Sequence, residues 1–230
     1  MLVEYLKKIP LFSHLHDGQL KEIAARCRNV LYKKGDVVFH KTDPGTDLYI
    51  VNSGKLSAIL SNEEGGEMVL AQFEKGAFFG ELSLLDGKGR SATVVADKDS
   101  ELAILKQNVF LDLLHKNPRI AVELTTTLVD RIRKAYGTIE SLAFLAVGER
   151  LTRTLLDGAA EEKAPATGFH KTNKLTHREL AARIGCSREA VSKSLKVLSA
   201  KKVVQESAGS ILIAHNALDN LKHAAKFKQP

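Results

Sequence analysis

The chain has 230 residues, which suits one large domain or two smaller ones, and its 27% of charged residues is ordinary for a globular protein. No apolar run approaches the length of about eighteen residues that a membrane-spanning helix needs. Glu4 and two lysines near the N-terminus exclude the apolar core of a secretion signal, so we expect a cytoplasmic protein with no membrane partner. The two cysteines, Cys27 and Cys186, lie far apart and predict neither a disulfide framework nor a zinc site.

The charge is distributed unevenly along the chain. Residues 1–146 hold 19 basic and 19 acidic side chains, whereas residues 147–230 hold 15 basic and 8 acidic ones. The whole formal charge of +7 therefore lies in the last third. Such an excess indicates either a polyanion partner for the C-terminal part or a solvated basic surface.

Residues 31–106 have the pattern of short strands separated by turns, and a helical pattern precedes them at residues 14–27. The segments between the turns are rich in β-branched and aromatic residues, which predicts an all-β barrel or sandwich. The turn signals are KKGD (33–36), DPGTD (43–47), NSGK (52–55), EEGGE (63–67) and EKGA (74–77).

A long helix is predicted to begin at Asn117-Pro118, because asparagine suits the N-cap and proline the first helical position. Apolar residues spaced three and four apart follow, which indicates a two-stranded coiled-coil seam and hence a homodimer. Packing of this helix on its own domain is the alternative. The predicted seam consists of Ala121, Leu124, Leu128, Ile132, Ala135, Ile139 and Leu142. A helix at about 145–157 and a loop at 158–174 are predicted next.

The C-terminal part contains the signals of a helix-turn-helix. Thr176 and Glu179 form a capping box, Gly185 makes the turn, and Ser187 caps a second helix. The second helix would enter the major groove of DNA, where Arg188 can pair with guanine and Glu189 can accept from cytosine. Residues 202–213 have the pattern of a strand–turn–strand wing. The residues predicted to contact DNA are Thr176, Ser187, Arg188, Glu189, Ser192, Lys193 and Lys196.

With these motifs the chain resembles the cyclic-AMP receptor protein/Fnr family of bacterial transcription regulators. The residues that carry the resemblance are GELSLL (80–85), RSATV (90–94), LAFLAVGERL (142–151) and LAARIGCSREAVSKSLKVL (180–198).

The resemblance implies an α+β fold in three parts. These are an N-terminal β-roll of the cyclic-nucleotide-binding type (1–116), a long dimerisation helix with a hinge (117–145) and a C-terminal winged helix-turn-helix (146–230). It also implies a homodimer on double-stranded palindromic DNA, which contacts RNA polymerase if the protein is an activator. The eight histidines show no metal or triad spacing, so we do not expect an enzyme or a metal site.

The effector implied by the resemblance is a cyclic nucleotide, with cyclic AMP (cAMP) as the first choice. Arg90 and Ser91 would hold the cyclic phosphate with the N–H groups of a short helix, and Glu81 would accept from the ribose. A buried Glu81 needs a cation, for which the family pattern offers Arg131. The implied ligand residues are Gly80, Glu81, Leu82, Ser83, Arg90, Ser91, Arg131 and Tyr136.

Two positions depart from the family pattern. Ala135 and Tyr136 stand where cAMP-responsive members have a Thr-Ser pair that contacts adenine, and alanine cannot donate to a base. A different effector and a vestigial pocket therefore stay open. A haem sensor, a known variation of the family, stays open as well, since a single histidine ligand has no readable spacing. Lys193 replaces an arginine in the recognition helix and lacks the planar guanidinium, so the exact DNA site stays open as well.

Overall fold

The computed structural model describes residues 2–159, 168–172, 174–207 and 210–217. These residues form two compact units. The first comprises the chain up to residue 60 and residues 69–135, and the second comprises residues 61–68 and the chain from residue 136 onward. Among the described residues, no helix is both long and apolar enough to span a membrane.

The strands of the N-terminal half pair into two antiparallel sheets. The strands are β1 (Arg28–Tyr32), β2 (Val37–Phe39), β3 (Leu48–Ser53), β4 (Lys55–Ser61), β5 (Glu67–Glu74), β6 (Phe78–Phe79), β7 (Thr93–Ala96) and β8 (Ser100–Leu105). One sheet has the order β1-β8-β3-β6 and the other the order β2-β7-β4-β5. This is the β-roll predicted for the N-terminal domain.

Side chains alternate between two cores along the strands, as the two-residue period of a strand requires. On β3, Leu48 and Ile50 join a cluster with the flanking helices, whereas Val51 joins a cluster between the sheets. On β8, Leu105 likewise faces the helices and Leu102 the space between the sheets. The strands β3 and β8 are therefore buried on both faces.

Helices precede β1 and follow β8, and a short one lies between β6 and β7. They are α1 (Leu2–Leu6), α2 (Asp17–Arg26), the short α3 (Glu81–Asp86), α4 (Gln107–Lys116) and the long α5 (Pro118–Phe144), with a 3-10 turn at Pro10–Phe12. The predicted start of the long helix at Pro118 is confirmed.

The apolar residues of α5 differ in burial along the helix. Leu124 is 4% exposed and packs with Leu128 against the core of its own domain. The predicted seam is therefore wrong at Leu124, which is buried in its own domain, while Leu128 is only partly buried there. The seam positions Ile132 and Ile139 are exposed and form a row with three further side chains. We call this row the exposed stripe: Val122, Val129, Ile132, Tyr136 and Ile139.

Within the part that the structure describes, the C-terminal half has three helices and a small sheet. Its elements are α6 (Val147–Asp157), β9 (Phe169–Lys171), α7 (His177–Ile184), α8 (Arg188–Ala200), β10 (Val204–Ser207) and β11 (Ser210–Ala214). The sheet order is β10-β11-β9. The wing predicted at 202–213 is confirmed as β10 and β11, while residues 208–209 lie outside the described residues.

The predicted loop at 158–174 is wrong in one part. Residues 169–171 form β9, whose Lys171 pairs with Leu212 of β11. A three-residue edge strand has no readable periodicity, so only its pairing reveals it. Residues 160–167 and 173 of this loop lie outside the described residues.

Candidate functional site

Arg90 is a buried cation held by backbone carbonyl groups. The residue is 4% exposed, and its Nη1 and Nη2 groups donate to the carbonyl oxygens of Gly80 and Asp47 at 3.0 and 3.1 Å. Burial lowers the pKa of the guanidinium, and the nearby Tyr49, Asp47 and Glu81 act against that decrease. No carboxylate among the described residues lies within 4.0 Å of this guanidinium. Arginine keeps its charge in proteins, so the site holds a buried positive charge with no anion in direct contact among the described residues.

Glycines allow the backbone to approach this guanidinium. Gly80 has φ 88°, and a Cβ there would lie 2.7 Å from the Asp47 carbonyl oxygen and 2.8 Å from Nη1 of Arg90. A Cβ on Gly45 would lie 3.1 Å from Nη2 of Arg90. The backbone of Arg90 also pairs with the loop before β3, since its N–H donates to the Asp43 carbonyl oxygen at 3.0 Å. The loop before β3 and the segment around Gly80 therefore both fix the position of the Arg90 guanidinium.

Glu81 is a buried carboxylate with one satisfied oxygen. The residue is 2% exposed, and Arg131 of α5 donates to its Oε1 at 2.7 Å. Arg131 also donates to the Phe78 carbonyl oxygen. The other oxygen, Oε2 of Glu81, is buried without a hydrogen-bond partner among the described residues. A buried acceptor of this kind costs on the order of 1–3 kcal/mol, so it is expected to have a function.

An aromatic row lies between the two arginines. The Arg90 guanidinium carbon is 4.5 Å from the Phe39 ring centroid, and Arg131 lies 5.4 Å from that of Phe73. Between them, Tyr49 and Phe73 stack on Phe79 with centroid distances of 5.1 and 4.9 Å. No local sequence signal connects these rings with the arginines, because they come from different strands.

The other predicted ligand residues differ in their surroundings. Ser83 is buried in α3, whereas Leu82 is 46% exposed and Ser91 is exposed. Tyr136 lies on α5 and is 68% exposed, five residues after Arg131. The structure thus gathers Gly80, Glu81, Arg90 and Arg131 within one unit and leaves Tyr136 on the surface of the helix.

The helix-turn-helix has the caps that the sequence predicts. The N–H of Glu179 donates to Oγ1 of Thr176 at 3.2 Å, and the Thr176 N–H donates to the Glu179 carboxylate at 2.6 Å. Gly185 ends α7 at φ 64°, and the N–H of Ala190 donates to Oγ of Ser187 at 3.1 Å. These contacts set the start of both helices.

The predicted reading face of α8 is exposed and contiguous. One shallow concavity is lined by Arg188, Glu189, Ser192, Lys193 and Lys196. The Arg188 and Glu189 side chains are 71% and 76% exposed. Hydrogen bonding with its own backbone N–H, then with Ser187, lowers the pKa of Glu189, so its carboxylate is ionised at neutral pH. On the opposite face Val191, Leu195 and Leu198 are buried.

The described chain begins with a β-roll that contains a buried arginine and a buried glutamate. A long helix and a winged helix-turn-helix follow. This order defines a class of protein in which a ligand-binding type of domain precedes a DNA-binding domain. Family models agree on both parts. The model of the cyclic nucleotide-binding domain matches residues 29–117, and that of the Crp-like helix-turn-helix domain matches residues 149–221.

Relatives of known name cover almost the whole chain. The cyclic AMP receptor protein of Thermus thermophilus is 34% identical over 213 residues, which are 93% of this chain and 96% of the relative. The cAMP-activated global transcriptional regulator CRP of Salmonella typhimurium is 30% identical over 198 residues, 86% of this chain and 94% of the relative. The solved structure of CLP, a c-di-GMP-responsive global regulator of Xanthomonas campestris, has a TM-score of 0.76 at 28% identity and covers 86% of this chain and 99% of its own. This chain belongs to the Crp/Fnr family of DNA-binding transcription regulators.

Proposed function

We propose that this protein is a dimeric, sequence-specific transcription regulator whose DNA binding is controlled by a cyclic nucleotide in the β-roll. Cyclic AMP is the first effector to test, since the Thermus and Salmonella relatives carry it in their names. The DNA site is a palindrome with half-sites about one helical turn apart. If the protein activates transcription, RNA polymerase is a further partner.

The observation that carries this proposal is that a buried cation, Arg90, and a buried acceptor without a donor, Oε2 of Glu81, occur in neighbouring segments of the β-roll. Arg90 lacks an anionic partner within 4.0 Å among the described residues, and Oε2 of Glu81 lacks a donor. A cyclic nucleotide offers both complements, because its phosphodiester is an anion and its ribose hydroxyl is a donor. The hydrogen bonds from Arg90 to the phosphodiester and from the ribose hydroxyl to Glu81 each involve a charged group, so they would be stronger than hydrogen bonds between neutral groups.

The exposed stripe on α5 supports the homodimer. Its members are spaced 7, 3, 4 and 3 residues apart, which is the a/d spacing of a coiled coil. Ile132 and Ile139 are 50% and 60% exposed, so the stripe leaves large apolar side chains in water. A second copy of the same helix would cover them.

A different effector, or a pocket that works empty, is the second candidate. Ala135 offers no hydrogen bond to a base, and Arg90 already donates to two carbonyl oxygens. The CLP structure, at 28% identity, belongs to a regulator that responds to c-di-GMP.

Calorimetry on the purified full chain tests the effector. We expect saturable binding of cAMP, with cyclic GMP and c-di-GMP titrated in parallel. Arg90→Gln removes one charge-assisted partner and should weaken binding about ten- to a hundredfold, since such bonds are worth about 1.5–3 kcal/mol. Arg119→Gln, at an exposed arginine of α5, is the matched control and should bind as the parent does.

Melting temperatures separate a lost contact from a lost fold. Ligand that binds only the native state must raise the melting temperature of the parent. At the same ligand concentration the rise should be smaller in Arg90→Gln, while the ligand-free value stays measurable. Binding of c-di-GMP alone would replace cAMP as the effector. If none of the three nucleotides binds the parent, control by these effectors is wrong and DNA binding without them is the function that stands.

A further inference from the structure

A polar contact connects the two helices of the helix-turn-helix at the DNA-facing side. His177 is the first residue of α7, and its Nδ1 lies 2.9 Å from Oγ of Ser192 in the second turn of α8. The same Ser192 hydroxyl donates to the Arg188 carbonyl oxygen at 3.1 Å. Neither family resemblance nor local sequence pattern assigns a role to His177.

The hydrogen-bond network determines which atom donates. A serine hydroxyl has one proton, and the bond to the Arg188 carbonyl oxygen uses it. With the Ser192 proton assigned to the Arg188 carbonyl oxygen, Nδ1 of His177 carries a proton and donates to Oγ, a tautomer assigned from these two contacts. The Ser192 hydroxyl is therefore fixed by two bonds, and one of its lone pairs remains free to accept.

We propose that His177 is a positioning residue for DNA recognition, which orients the Ser192 hydroxyl as an acceptor on the reading face of α8. The inference rests on DNA binding, which the family membership establishes, and not on the identity of the effector. An acceptor at this place suits the exocyclic amino group of adenine or cytosine in the major groove.

Apolar packing already holds the two helices together, so the polar contact is not needed for the fold. Leu180, Ile184, Val191, Leu195 and Leu198 belong to one buried cluster. A single partly exposed hydrogen bond adds little to that packing. The main effect of the contact is to hold the hydroxyl in one direction beside Arg188 and Lys193, which line the same concavity.

The experiment uses the full chain and a palindromic duplex selected from a random pool by the parent protein. His177→Ala and Ser192→Ala are each expected to weaken specific binding about two- to tenfold, the range of one hydrogen bond. The double variant should be no weaker than the weaker single variant, since the two residues act as a unit. Ser199→Ala, an exposed serine on the same helix, is the matched control and should bind like the parent.

Conservative variants test the position of the nitrogen. Asparagine keeps a polar atom at the δ position, whereas glutamine moves it one bond further, so His177→Asn should restore binding and His177→Gln should not. A repeated selection with His177→Ala should relax the preference at one base pair in each half-site, the same pair that Ser192→Ala relaxes.

The salt dependence separates this role from a phosphate contact. Positioning leaves the slope of log affinity against log salt unchanged, whereas loss of a phosphate contact lowers it by about one. A lowered slope in His177→Ala, or losses that multiply in the double variant, would overturn the proposal. So would a fall in melting temperature with unchanged affinity and unchanged base preference, which would make the contact purely structural.

Discussion

Gly80 combines an unusual backbone angle with close neighbours in the candidate site of the β-roll. Its φ of 88° is open to glycine and strained for other residues, and a Cβ there would come within 2.8 Å of two groups. One of them is Nη1 of Arg90, which also donates to the Gly80 carbonyl oxygen. The position is therefore tied both to the fold and to the placement of the charge.

We predict that Gly80→Ala lowers the free energy of unfolding by about 1–2 kcal/mol from backbone strain alone, and more from contact with Asp47 and Arg90. Gly35→Ala is the matched control, because Gly35 has a similar φ of 93° but no atom within 4 Å of a built Cβ. Chemical denaturation measures both. Equal losses in the two variants would show that the close approach at Gly80 costs nothing.

At the scale of elements, α5 has one apolar row packed on its own domain and another that is exposed. Leu124 and Leu128 pack on their own domain, and the exposed stripe carries Ile132, Tyr136 and Ile139. Gly137 lies off that stripe, and a Cβ built there meets no atom within 4 Å. The helix runs through this glycine without interruption.

Ile139→Lys is predicted to convert the dimer into a monomer, because it places a charge in the apolar interface of two copies. Light scattering coupled to size exclusion should give about half the parent's mass. Gly137→Lys adds the same charge beside the stripe and should leave the dimer intact. If Ile139→Lys remains a dimer, the dimer interface does not lie on the exposed stripe.

Elements with strong local signals could be predicted from the sequence, and those defined by distant pairing could not. The helix-turn-helix was predicted in detail, because the capping box at Thr176 and the left-handed Gly185 act within a few residues. The strands β1, β6 and β8 were not individually identified, since only pairing between segments far apart in the chain defines them. On α5, apolar spacing indicated a buried face but could not say which row faces the domain and which faces a partner.

In the candidate site, too, the residues within local motifs could be predicted and the contacts between distant segments could not. The motifs GEL and RSA pointed to Glu81 and Arg90, and the ion pair with Arg131 is present as predicted. The carbonyl oxygen of Asp47, the aromatic row around Phe79 and the contact of His177 with Ser192 were not foreseen. Each joins residues from different elements, so their spacing in the sequence carries no signal.

At the scale of the whole molecule, the net charge differs between the two parts of the chain. The formal excess of +7 lies in the last third of the chain, which holds the helix-turn-helix, while residues 1–146 have no net charge. The basic part suits a polyanion, and its affinity for DNA is expected to fall as salt rises. Control by an effector must then act through a difference in effector affinity between DNA-binding and non-binding states.

This requirement gives a prediction for the complete protein. If the nucleotide tightens binding to the palindromic duplex by a given factor, the duplex must tighten nucleotide binding by the same factor, and typical coupling is about five- to 150-fold. Calorimetric titration of the nucleotide into protein with and without duplex measures one side, and duplex titration with and without nucleotide measures the other. Arg90→Gln should remove the effect of nucleotide on DNA binding and retain the affinity of the nucleotide-free protein for DNA. Nucleotide binding that leaves DNA affinity unchanged would mean that the β-roll binds its ligand without gating the helix-turn-helix.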